Sequence, residues 1–138
     1  MPLTWEIFHD QRLVRVIALG RVTLPEMEEH FDALAVADVL QYAKLFDASQ
    51  ADPIYTETDV MAMGARLSAY TATLKSGPLA VIGLNAKARS AFRLFVNISL
   101  ARRPARLFRT EAEARAWLKE VGDQIDDQRT QPFHTPQG

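Results

Sequence analysis

Residues 56–84 read TETDVMAMGARLSAYTATLKSGPLAVIGL, and the two halves of this stretch follow different periods. Thr56 and Asp59 stand at capping-box spacing. Val60, Met63, Leu67, Tyr70 and Leu74 then recur at steps of three and four, which marks one face of an amphipathic helix. Gly77-Pro78 stops that helix. Leu79–Leu84 is a continuous apolar run, the composition of a strand covered on both faces. A helix leading into such a strand is the repeating unit of an α/β domain.

The same alternation extends in both directions. On the N-terminal side, Trp5–His9 and Leu13–Leu19 are two β-type runs around the polar break Asp10-Gln11-Arg12, which predicts a hairpin whose second strand ends at Gly20. Thr23-Leu24-Pro25-Glu26 is a helix start, and Met27, Phe31 and Leu34 mark one face of a helix ending near Asp38. Lys44–Ser49 predicts a short buried strand ending in the polar residues Asp47-Ala48-Ser49, followed by a loop, 50–55, that carries Pro53. On the C-terminal side, Asn85 caps a helix from Ala86 to about Ala101, and Pro104 ends that segment. Ala105–Phe108 is a short strand, and Thr110 with Glu113 caps a last helix lined by Ala114, Trp117, Leu118 and Val121. The expected fold is a single mixed, mostly parallel sheet of about five strands with an N-terminal antiparallel hairpin and about four helices. Residues 1–122 form the domain, and 123–138 are a polar tail expected to be disordered or docked on a partner.

Composition narrows the function. The 138 residues fit one domain. There are no cysteines, so disulfides, thiolate metal sites and a cysteine nucleophile are excluded, in keeping with a cytoplasmic location. No stretch approaches the ~20 apolar residues of a membrane span, and Leu13–Leu19 does not read as a signal peptide because Arg15 interrupts it. A net charge of −1 gives no bulk case for nucleic acid. His9, His30 and His134 have no metal-ligand spacing, and no glycine-rich phosphate loop or nucleophile elbow is present. No cofactor and no metal are expected.

At this point the order of elements resembles the SpoIIAA-like fold shared by STAS domains and related bacterial proteins. The resemblance runs from about Trp5 to Val121. Its carriers are Arg15-Val16-Ile17-Ala18-Leu19-Gly20, Val22-Thr23-Leu24-Pro25-Glu26 and Leu45-Phe46-Asp47-Ala48-Ser49. The last helix–strand–helix unit contributes Ala91-Phe92-Arg93-Leu94-Phe95, Phe108–Ala114 and Trp117-Leu118. The resemblance implies non-enzymatic regulation. STAS switches are phosphorylated on a serine in an Asp-Ser-Ser-Gly-type turn at the start of the second helix. Here that turn falls at 55–59, which has neither Ser-Ser nor Gly and leaves Thr56 and Thr58 as acceptors. Some SpoIIAA-like proteins also resemble CRAL-TRIO lipid-binding domains, which raises apolar ligand binding.

The residues themselves offer three kinds of site. Asp47 and Ser49, at the carboxyl end of a predicted strand, are a polar anchor, a modification site or ordinary loop chemistry. In the helix Ala86–Ala101, the apolar residues cover an arc of roughly 200°, where a surface helix needs about 100°. The surplus, including Phe92, Leu94, Phe95 and Ile98, suits an apolar pocket, a dimer contact or a buried core. Arg89 and Arg93 on its polar face are candidate contacts for a lipid-like anion, within an acid-free segment from Lys75 to Arg109 that reads equally as a solvated face. The leading expectation is a regulatory or ligand-sensing module, self-associating as a dimer, that works through protein contacts or an apolar or amphipathic ligand. The alternatives are a phospho-regulated antagonist of the anti-sigma type and an enzyme using Asp47 with Arg89 or Arg93 on a small anionic substrate.

Overall fold

The structure, a computed structural model, describes residues 2–53, 56–71, 77–83, 85–98 and 104–129; within these ranges the side chains of 53, 67, 68, 70, 71, 94–98 and 123–129 lie outside the description. The chain runs β1 (Leu3–Phe8), β2 (Leu13–Val22), α1 (Leu24–Val36), β3 (Ala43–Pro53), α2 (Glu57–Thr71), β4 (Leu79–Ile82), α3 (Ala86–Ile98), β5 (Ala105–Phe108) and α4 (Glu111–Arg129). The five strands lie in the sheet in the order of the sequence. β1 and β2 are antiparallel, and every later neighbour is parallel. This is the mixed sheet with an N-terminal hairpin that the sequence predicts.

Each helix begins where its capping residues place it. Thr23 Oγ1 accepts from the Glu26 amide at 3.4 Å, and the Glu26 carboxylate accepts from the Thr23 amide at 3.1 Å. The reciprocal pair at α2 is Thr56 with Asp59, at 3.1 and 3.0 Å. Asn85 Oδ1 accepts from the Ala88 amide at 2.7 Å, and Thr110 Oγ1 from the Glu113 amide at 3.2 Å. Each cap gives a partner to a backbone amide that the helix itself leaves without one.

Topology decides which face each helix covers. Successive parallel strands step in one direction across the sheet, and crossovers are right-handed, so α1, α2 and α3 fall on the same face. Met27, Phe31 and Leu34 of α1, with Val60 and Met63 of α2, pack there on Leu3, Val14, Val16 and Ala18. α4 takes the opposite face, where Ala114 and Leu118 meet Leu13, Leu45, Ala80 and Ile82. β4 is buried along its whole length between the two layers, as its unbroken apolar run requires. α1 and α2 are clamped at their surface by Arg66, which reaches Asp32 at 2.7 Å and Glu28 at 3.3 Å.

The ends of β2, β3 and α4 differ from the sequence expectation. β2 does not end at Gly20. That residue takes φ +64° inside the strand, a conformation open to glycine, and pairing continues to Val22. β3 does not give way to a loop after Ser49. It extends to Pro53 because β2 continues beside it, with Gln50–Pro53 paired to Leu19–Val22. The register slips between Ile17–Asp47 and Leu19–Gln50, so β3 carries one extra residue, a β-bulge at Ala48-Ser49. Pro53 is the last strand residue. Lastly, α4 passes through Gly122 to Arg129; glycine inside a helix costs about 1 kcal/mol, too little to stop it.

Two predictions concern stability. A Cβ at Gly77 would run into the backbone carbonyls of Gln41 and Tyr42, which cannot swing aside as a side chain would. Gly77→Ala is expected to lower the unfolding free energy by about 2–3 kcal/mol in urea titration. Glu111 links α4 to β2 through Arg15 at 2.9 Å. The Arg15 hydrogen bond, then that from Arg115, holds the Glu111 carboxyl below its usual range. A depressed folded value stabilises the protein above the unfolded pKa and is lost as pH falls through the folded one. Both side chains are partly exposed, so Glu111→Gln should cost at most about 1 kcal/mol at pH 7. That difference should vanish in acid, as pH-dependent denaturation curves of the two proteins would reveal.

Candidate functional site

On the face covered by α1, α2 and α3, the packing leaves an apolar cavity of about 120 Å³. Its origin is local. Ala18 of β2, Ala51 of β3, and Ala88 and Ala91 of α3 all face it, and none has a side chain long enough to meet those opposite. Larger residues complete the wall: Met27 and Phe31 from α1, Val60 and Met63 from α2, Phe46 from β3, Leu79 and Val81 from β4, and Phe92 from α3. An engineered cavity of ~150 Å³ holds a benzene molecule, whereas drug-sized ligands occupy ~300–1,000 Å³. The space therefore matches a guest body of about ring size.

Two polar residues, Lys44 and Asp52, belong to its lining. Lys44, at the start of β3, is 5% exposed, and His30, on α1, is fully buried. Lys44 Nζ lies 2.9 Å from His30 Nε2 and 5.1 Å from the centroid of the Phe31 ring. Trp5 fixes the imidazole from the side, with ring centroids 4.6 Å apart and edge-to-face. At the other end of β3, Asp52 is half-buried and accepts from Lys87 of α3 at 3.2 Å. Lys44 and Asp52 thus stand toward opposite ends of β3.

The residues singled out from the sequence are dispersed. Phe92 lines the cavity, while the side chains of Leu94, Phe95 and Ile98 lie outside the described residues. Arg89 and Arg93 are exposed on α3 and do not line it. Asp47 and Ser49 sit at the bulge in the middle of β3, where the sequence places a strand end. The Asp47 carboxylate accepts from the Ser49 amide at 3.0 Å and from its hydroxyl at 2.6 Å, the local bonding that polar residues make where a ladder is interrupted. Thr56 and Thr58 are exposed at the start of α2. Sequence reasoning missed Lys44 and His30. The signal was present: strand alternation puts Lys44 on the face of Phe46, and helical spacing puts His30 with Met27 and Leu34. Among the described residues, no group of three or more His, Cys, Asp or Glu side chains could hold a metal ion. Among them, too, no helix is long and apolar enough to cross a membrane.

No protein-family model matches the sequence, and no curated protein matches it at a significant level. Solved structures do. An uncharacterised protein of the DUF3478 family with a SpoIIAA-like fold, from Shewanella loihica PV-4, superposes with a TM-score of 0.57 at 18% identity, covering 84% of this chain and 93% of its own. An anti-sigma factor antagonist from Mycobacterium paratuberculosis gives 0.53 at 15% identity, covering 85% and 94%. Neither is described as a lipid binder, so the CRAL-TRIO likeness gains nothing from them. Likeness over most of both chains, together with the strand order and, among the described residues, the single helix on the far face, shows that this chain has the SpoIIAA-like fold.

Proposed function

We propose that the protein is a non-enzymatic regulatory module of the STAS type, controlled by a small apolar or amphipathic ligand in the cavity beneath α1, α2 and α3. The cavity carries this reading. Interiors are close-packed, and a space lined by alanines from three elements is shaped to take a guest. The structural likeness to an anti-sigma factor antagonist supports a regulatory role. The cavity wall includes α2 and α3, so occupancy would be felt at the outer surface of both helices.

A phosphate switch at the start of α2 is the weaker reading. Thr56 Oγ1 is already engaged with the Asp59 amide. Glu57 and Asp59 occupy the first turn, and a phosphate added there would meet like charge.

The test is native mass spectrometry of gently purified protein, repeated after denaturation, on the wild type and on Ala91→Leu. Leucine at 91 would fill part of the cavity. The wild type is expected to carry a small compound that denaturation releases. Ala91→Leu, with an unchanged circular dichroism spectrum, should carry none. A panel of ring-sized compounds should raise the wild-type Tm, on the order of 8 °C at a hundredfold excess over Kd. Bare wild-type protein that also fails to respond to the panel would refute the ligand-controlled reading.

A further inference from the structure

We infer that the cavity selects an uncharged, apolar compound of about ring size and rejects hydroxylated and charged relatives of the same outline. The inference rests on the ligand-controlled reading above and deepens it by assigning the polarity and size of the guest.

The first argument is what the wall offers. The surface that the described residues present to the cavity is almost wholly apolar. Ala18, Ala51, Ala88 and Ala91 contribute methyl groups, and Phe46 and Phe92 contribute rings. The two polar residues of the lining have their head groups engaged with protein partners. Lys44 Nζ lies 2.9 Å from His30 Nε2 and over the Phe31 ring, and the Asp52 carboxylate accepts from Lys87 at 3.2 Å. A polar group carried into this space would give up its bonds to water and find little to replace them. An apolar group forfeits no such bonds and gains dispersion contacts with the wall.

The second argument is fit. A volume of about 120 Å³ is close to that of the engineered core cavity that takes up a benzene ring. The rings of Phe46 and Phe92 in the wall allow the offset or edge-to-face contacts that aromatic groups prefer. Met27 and Met63, also in the wall, are unbranched thioethers that adjust to small differences in outline. Shape alone therefore tolerates close relatives of the guest, and polarity does most of the sorting. An apolar site rejects an isostere that adds a hydroxyl by up to ~10²-fold. It rejects a carboxylate more strongly, because a charge is harder to take out of water.

The experiment compares toluene with phenol, which has nearly the same outline and a hydroxyl in place of the methyl group, and with benzoate, which carries a charge. Binding is measured by isothermal titration calorimetry at pH 7 on the full-length wild type, Ala91→Leu and Ala51→Val. Toluene is expected to bind the wild type at least tenfold more tightly than phenol and at least a hundredfold more tightly than benzoate. Each variant should weaken toluene at least fivefold with an unchanged circular dichroism spectrum. The two substitutions lie on different elements, so one serves where the other fails to fold, and the wild-type comparison depends on neither. Phenol or benzoate binding the wild type as tightly as toluene would overturn the polarity assignment and leave the cavity reading intact. Binding of none of the three, or toluene binding that the folded variants leave unchanged, would overturn the cavity reading and this inference with it.

Discussion

The parallel pairing of β3 with β2 on one side and β4 on the other decides which side chains reach the cavity. β3 is the central strand, so its register is read by both neighbours. Before the bulge, alternation turns Lys44, Phe46 and Ala48 toward the three-helix face. Strict alternation would then continue with Gln50. The extra residue at Ala48-Ser49 resets the phase, and Ala51 faces the cavity instead. A one-residue slip exchanges the two faces of a strand. Here it replaces a long polar side chain by a methyl group and leaves space in its place. The Asp47–Ser49 hydrogen bonds act at the same point and give the interrupted ladder local partners.

The same bulge explains where sequence reasoning stops. Helix starts were legible because Thr23–Glu26, Thr56–Asp59, Asn85 and Thr110–Glu113 each act within one turn. β4 was legible because burial on both faces leaves an unbroken apolar run. β3 was legible only as far as Ser49. Residues 50–53 carry Pro53 and read as a loop, and their place in a strand depends on β2 running on beside them past Gly20. That is a long-range pairing with no local trace. The candidate site suffered in the same way. Phe92 could be picked from the wide apolar arc of α3. Lys44 reads as the polar edge of a strand until α1 is known to pack over it and bring His30 to 2.9 Å.

The small residues around the cavity leave the three-helix face less closely packed than a protein interior usually is. A larger side chain at Ala51 or Ala91 would fill part of the space. A guest with an apolar body would supply the dispersion contacts that the alanines do not reach. Its binding would then be coupled to the stability of the three helices that enclose it, which is the physical requirement for a ligand to act as a regulator.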